Sequence, residues 1–498
     1  MASGNNQIQT EQSLNVKDST VLDMTALVFT PTRYSAPGDL TQGLPVECIT
    51  EIFLCKRDGS PYGKRSLVVL TLSWVCKRWR SIALQDSRLW SVIDVTHMPA
   101  VEACLSRSAQ TPLSLFLSPF QPYNSFPSLL SLASRVIHRT QSLVIGPGDP
   151  IRVLGILHGS EAKLLTVLDI ASSSLHEELF IRGPPPLKRL RLTICNFSWT
   201  SWIFPATLVV LHILRPGTRI NVEGFLGIVK EMPFLAQFLL FDVLKPSWET
   251  DGLECALPSV TKVEMVEPRC SPITQMFQTC SLVEASIIAC NVTNLQDAHG
   301  LLRSILQSMG EFTPRSLRVY LAYDETYADS TLVMTGPPKK VTLSIGHGDR
   351  VGLLFHPLNL LPLQNLHSLV IAFVIARMDT EWIDIIGFLP ELKSLVLGNA
   401  AALDFIQCLP LGSNQFRAIE RLEFNLEIVY EHEIVEVEAD WEGVQDSLIM
   451  MELKEVCFTG EIWEDIAVVD WEMLKETGCS VMHKGWMELD VISTAEEG

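Results

Sequence analysis

Long apolar runs are missing from this chain of 498 residues. The longest, around residues 234–244 and 366–376, reach about 11 residues, short of the roughly 18 that a membrane-spanning helix needs. They read as buried strands, and no membrane partner is expected. Paired cysteine spacing is missing too. The 12 cysteines include no C-x-x-C and no Cys/His ligand pattern, so free thiols in a reducing compartment are expected, with no metal site. Residues 1–12 are polar and lack a basic-then-apolar signal pattern, which points to a cytoplasmic or nuclear location.

Catalytic signatures are equally scarce. There is no Walker loop, G-x-S-x-G elbow or H-E-x-x-H. Gly346-His347-Gly348-Asp349 reads as a turn after a strand. His176-Glu177-Glu178 reads as a solvated loop. The glutamate-rich residues 431–442, interleaved with Ile434, Val435 and Val437, read as a solvated edge rather than a cation site. No catalytic residue and no cofactor is expected, and the chain is read as a non-enzyme.

What is present is apolar substance. Apolar residues make up 47% of the chain and the mean hydropathy is +0.23, enough for a large core divided over two or three domains. The net charge of −19 is unevenly placed. Residues 418–498 hold 22 Asp/Glu against 4 Lys/Arg, a balance of −18 that leaves the rest near neutral. Residues 44–90 run the other way, with 8 Lys/Arg against 4 Asp/Glu. A small basic segment on an acidic protein suits an acidic protein partner, or simply a solvated helix face, and no nucleic-acid partner is expected. The acidic end of the chain favours a basic target.

Residues 1–40 are rich in Ser, Thr, Asn, Gln and Pro and read as a disordered tail. Residues 41–95 then form a helical module. Pro45 suits the start of a helix, and Glu47 suits its positive end. Ile49, Ile52 and Phe53 make an apolar stripe at i, i+3, i+4. Residues 56–66, with Gly59, Pro61 and Gly63, read as a loop. Leu72, Val75, Cys76, Trp79, Ile82 and Ala83 continue the helical rhythm as one second helix, and Asp86-Ser87 starts a last turn carrying Leu89 and Trp90.

The ordered string Leu44-Pro45, Glu47, Ile52-Phe53, Val75-Cys76-x-x-Trp79-Arg80-x-Ile82-Ala83 and Leu89-Trp90 resembles the F-box, with the longer central loop familiar in fungal members of that family. The resemblance implies docking on a Skp-type adaptor, and through it on a cullin–RING ubiquitin ligase. The matching positions inherit that role: Leu44, Pro45, Ile49, Ile52, Phe53, Val75, Cys76, Trp79, Leu89 and Trp90. Leu44, Pro45 and Trp90, at the ends, are the expected partner contacts; Ile52, Val75 and Ile82 are at least as well explained by packing.

After a connecting segment at residues 96–135, one spacing recurs over residues 136–460. It runs Leu165-x-x-Leu168-x-Ile170, Leu187-x-x-Leu190-x-Leu192, Leu208-x-x-Leu211-x-Ile213, Leu235-x-x-Phe238-x-Leu240 and Val260-x-x-Val263-x-Met265. It returns at Leu366-x-x-Leu369-x-Ile371, Leu392-x-x-Leu395-x-Leu397 and Ile419-x-x-Leu422-x-Phe424, with weaker copies at 140–145, 282–287, 341–345 and 453–458. Neighbouring copies advance by about 21 to 27 residues, the period of leucine-rich repeats, which this region resembles in a degenerate form. Cys195 and Cys290 are expected in the turn after their strands. Stretches at 225–232, 301–309 and 382–389 read as helices backing the sheet. Residues 461–498 read as a C-terminal cap and acidic tail, with an amphipathic helix through Ile462, Ile466, Val469 and Met473 and a last strand at 481–489.

The expected fold is therefore an α/β repeat solenoid, an irregular leucine-rich-repeat horseshoe, preceded by a small all-α F-box module. The expected function is substrate recognition within a Skp–cullin–F-box ubiquitin ligase, the repeats holding a protein target that the sequence does not identify. The alternative is a leucine-rich-repeat interaction scaffold unconnected with ubiquitin.

Overall fold

The computed structural model describes residues 41, 43–61, 63–94, 98–117, 131, 134–146, 161–171, 174–175, 184–200, 203–245, 255–292, 298–310, 312–324, 327–346, 363–373, 389–399, 401–402, 405–406, 409, 416, 418–425, 441–459 and 471–484. The expected tail at 1–40, the clusters at His176-Glu177-Glu178 and His347-Gly348-Asp349, the glutamates at 431–438, and Ile462, Ile466 and Val469 lie outside them. So does all of the 382–389 helix except Leu389.

The chain opens with helices α1 (Val46–Asp58), α2 (Arg65–Val75) and α3 (Lys77–Gln85), closed by a tight 3-10 turn over Ser87–Trp90. Strand β1 (Val92–Asp94) follows at once, then α4 (Met98–Arg107), β2 (Leu113–Leu117), β3 (Thr140–Ile145), β4 (Val167–Ala171), β5 (Arg189–Thr193) and β6 (Val210–Leu214). Next come β7 (Ile220–Asn221), α5 (Val222–Lys230), β8 (Gln237–Phe241), β9 (Leu244–Lys245), β10 (Cys255–Ala256), β11 (Lys262–Glu267), α6 (Cys270–Thr279), β12 (Cys280–Ser281) and β13 (Ile287–Val292). The last part holds α7 (Ala298–Ser308), β14 (Ser316–Asp324), β15 (Tyr327–Gly336), β16 (Lys339–Gly346), β17 (Ser368–Phe373), β18 (Ser394–Asn399) and β19 (Arg421–Asn425). It closes with α8 (Trp441–Met450), β20 (Glu455–Thr459), α9 (Trp471–Glu476) and β21 (Ser480–Lys484).

Seventeen of these strands form one open sheet. From β1 to β13 its strands stack in chain order, all parallel, with β7, β9, β10 and β12 forming two small side pairs. From β17 to β21 they do so again. Every copy of the recurring spacing except that at 282–287 coincides with a strand. The reason is the period of two: in β5, Leu190 and Leu192 point into the core while Arg189 and Arg191 point out, and β4, β6 and β8 repeat that alternation. Stacking lets each apolar row close over the next, which one unit alone cannot do. Helix α5 backs the sheet by burying Val222, Phe225, Leu226 and Val229, and α7 occupies the second expected helical stretch.

The turns repeat as well. Ile194, Arg215 and Asp242, each just after its strand, adopt left-handed backbone with φ of 52, 48 and 54°. Each sends its N–H to a carbonyl at the end of the next strand, Leu214, Phe241 and Val266, at 2.7 Å. Cys195 follows as expected: it is buried, and its Sγ donates to the Ile170 carbonyl at 3.3 Å.

Five features depart from expectation. The ladder begins at β1, inside the range assigned to the helical module, and the connecting segment 96–135 contributes α4 and β2. The gap between the copies at 282–287 and 341–345 holds α7, β14 and β15; with β16, which is the 341–345 copy, these strands sit between β13 and β17 in the order β16–β15–β14, β15 being the antiparallel member. Cys290 is not in a turn: β13 pairs Ile288 with Val263 and Cys290 with Met265, so Cys290 is the second inward residue of its strand and Ile287 faces out. The loop expected at 56–66 is shorter, because Lys56 and Arg57 suit the negative end of α1 and carry it on to Asp58. Finally, the second helix is two. Cys76 is extended (φ −154°, ψ 170°) and caps α3, its Sγ accepting the Trp79 N–H at 3.4 Å.

Candidate docking surface

The break at Cys76 decides which side chains the helical module shows. The inward face of α1 runs through Ile49, Thr50, Phe53 and Arg57, and that of α2 through Ser66, Val69 and Ser73. Ile52 is therefore turned away from Ile49 and Phe53, and α2 ends with Trp74 and Val75 facing out. Trp74 is 67% exposed, Val75 59%, Ile52 52%, Val46 47% and Leu44 39%. Isolated exposed apolar residues are ordinary, but five on one short module are what an interface needs.

The expected division of labour is thus partly reversed. Ile52 and Val75, taken for packing, are outside. Trp90, taken for a contact, is 0% exposed. Its Nε1 donates to the Ala83 carbonyl at 2.6 Å, and the Arg107 guanidinium of α4 lies 4.3 Å from its ring centre. Ile49, Phe53 and Leu89 are buried with it, so they hold the helices together. Leu44 and Pro45 are exposed, as expected. Cys76 is half-buried and serves as the α3 cap. Trp79 packs on Phe53 at 4.9 Å between ring centres and donates from Nε1 to Thr41 Oγ1 at 3.0 Å. Arg78 donates to the carbonyls of Thr41 and Leu44. Those bonds fix Leu44-Pro45 against α3. Trp74 was not singled out from the sequence, because a continuous second helix hides its exposure.

Most of the arginines of the module are bound internally, while Lys56, Lys64 and Lys77 stay exposed. Arg57 binds Asp58 and the Arg88 carbonyl; Arg65 binds the carbonyls of Ser60 and Asp58; Arg80 binds that of Ser73; Arg88 binds Asp86 and Glu51. A cleft of about 570 Å³ lies between α1, the 3-10 turn and the start of β2. Glu51, Arg57, Asp58, Arg65 and Arg88 line it, already paired with one another or with backbone. It is a seam within the fold.

The module sits on the ladder through more than Trp90. Asp94 of β1 is buried, and one of its carboxylate oxygens accepts the Ser66 N–H at 3.2 Å at the start of α2. A negative group at a helix N-terminus is favourable there. Among the described residues no cluster of three or more His, Cys, Asp or Glu could hold a metal ion, and no helix is long and apolar enough to cross a membrane.

No protein-family model matches the chain, and no characterised protein matches it in sequence.

Proposed function

We propose that the chain is the substrate-recognition subunit of a Skp–cullin–F-box ubiquitin ligase. On this reading its first three helices are an F-box and its ladder an irregular leucine-rich-repeat array. The observation that carries the reading is the exposed apolar set Leu44, Val46, Ile52, Trp74 and Val75 on a three-helix module whose sequence order resembles the F-box. The fixed seat of that module on a long parallel ladder supports it further. The receptor contributes no bond-making group: the adaptor holds one end, the array holds the target, and proximity raises the effective concentration of target lysines.

The test is capture of purified Skp-type adaptor by the full chain and by an Ile52→Glu/Val75→Glu variant. Both positions are exposed, so folding is expected to change by no more than about 0.5 kcal/mol. Adaptor affinity is expected to fall by about thirtyfold or more, the loss typical of central interface residues. Failure of the wild-type chain to retain the adaptor would end the proposal. Retention by both proteins would move the interface elsewhere.

A further inference from the structure

The outward face of β5, β6, β8 and β11 carries a pattern that the ladder itself does not need. Register aligns its outward residues in three rows: Arg189, Val210, Gln237 and Lys262; then Arg191, His212, Leu239 and Glu264; then Thr193, Leu214, Phe241 and Val266. The third row is apolar beyond Thr193, and Leu214, Phe241 and Val266 are half-buried, as is Leu239 beside them. Arg215 lies over the Phe241 ring at 4.8 Å.

The charges around that apolar strip are unequal. Lys262 is paired with Glu264 at 2.5 Å, and Arg219 with Asp242. Arg189 and Arg191 are exposed, and among the described residues neither guanidinium has a hydrogen-bond or salt-bridge partner. Asp169 on β4 is the cross-strand register partner of Arg191; it forms no salt bridge with it, but Arg191 acts on its carboxyl through space. Burial and Arg191 hold His212 below its usual range, so it adds no charge at neutral pH. The acidic part of the ladder differs: Glu420 is paired with Lys393 and Lys454, and Arg421 with Glu423 and Glu455. On β5 the exposed unpaired charge is positive.

We infer that this face binds an extended acidic peptide segment of the target protein, its anionic side chains on Arg189 and Arg191 and an apolar side chain against Leu214, Leu239 and Phe241. The inference rests on the proposed role as substrate receptor, whose target class it names. Nucleic acid is disfavoured because Asp169 and Glu264 interrupt the cations and the chain is strongly acidic overall.

The experiment uses the full chain and four fluorescent probes. Three are pools of twelve-residue peptides, degenerate except for a central leucine flanked by glutamate, phosphoserine or lysine; the fourth is a single-stranded RNA of twelve nucleotides. The glutamate or phosphoserine pool is expected to bind, which also tells carboxylate from phosphate. Binding should weaken with added salt and fall by about tenfold in Arg189→Gln/Arg191→Gln, as loss of two exposed ion pairs allows. Tighter binding of the lysine pool or of RNA, no binding of any acidic pool, or binding unchanged in the variant would overturn the inference. Adaptor capture, measured on the same proteins, reports the proposed function separately: both are expected to retain the adaptor, and peptide binding without adaptor binding would refute only the ligase role.

Discussion

Replacing Trp90 with alanine separates packing from contact more sharply than any other change on the module. The indole is fully buried, hydrogen-bonded to the Ala83 carbonyl and covered by Arg107. Truncating a buried aromatic costs about 3–5 kcal/mol, and losing the cation over its ring adds about 1 kcal/mol. Domain stabilities are about 5–15 kcal/mol, so the α1–α3 module should come loose from β1 while the far strands stay folded. Hydrogen exchange read peptide by peptide is the assay: protection should collapse over residues 43–94 and persist over residues 187–292. Trp90→Phe keeps an aromatic ring, though a smaller one, and strands the buried Ala83 carbonyl, with an expected cost of at least about 1–3 kcal/mol. Adaptor capture should fail in Trp90→Ala only in proportion to the unfolded module. If the variant keeps wild-type protection and still loses the adaptor, Trp90 touches the partner and the burial argument is refuted.

Cys76→Ser puts a stronger acceptor at the α3 cap, where thiol sulfur now takes the Trp79 N–H. A gain of about 0.5–1 kcal/mol is expected, read as a higher melting temperature with adaptor binding intact. Burial raises the carboxyl of Glu267 from its ordinary 4.5 to about 7, opposed by the hydrogen bonds it accepts from the backbone N–H groups of Leu244 and Val243. Because the folded value is the higher one, its contribution is full below about 4.5 and is lost as pH rises through about 7. Glu267→Gln should therefore match wild type in acid and exceed it by roughly 3 kcal/mol above that window, measured by urea midpoints on either side; equal midpoints throughout would contradict the assignment. A fragment beginning at residue 96 loses β1 and bares the edge of β2. It should self-associate in size-exclusion chromatography, and a monomeric fragment would show β1 to be dispensable.

The strands were legible because burial with a period of two leaves a strong imprint, and a repeat multiplies it. Where the imprint was weak the reading slipped. Ala285 and Ile287 mimic the spacing three residues early, so Cys290 was placed in a turn when its true register has Ile288 and Cys290 inside. Strands β14 and β15 obey no repeat and were invisible, whereas β16 carries the copy at 341–345. On the module, the apolar rhythm through Leu72, Val75 and Trp79 passes smoothly across Cys76, and only the backbone there reveals a change of direction. That one residue leaves Trp74 and Val75 on the surface at the end of α2. Trp90 looked terminal in the string of residues 44–90, and nothing local announces that Arg107, a helix later, folds back over it.

The unbroken run from the 3-10 turn through Trp90 into β1 gives the ladder the properties of a ruler with its zero mark fixed. Strands sit about 4.8 Å apart, so β5 lies roughly 19 Å and β11 roughly 34 Å along the sheet from the module, and no flexible tether blurs those marks. A whole strand gained or lost between β1 and β5 would shift a bound target by one division. Added residues in the loop between α1 and α2 would leave the scale untouched.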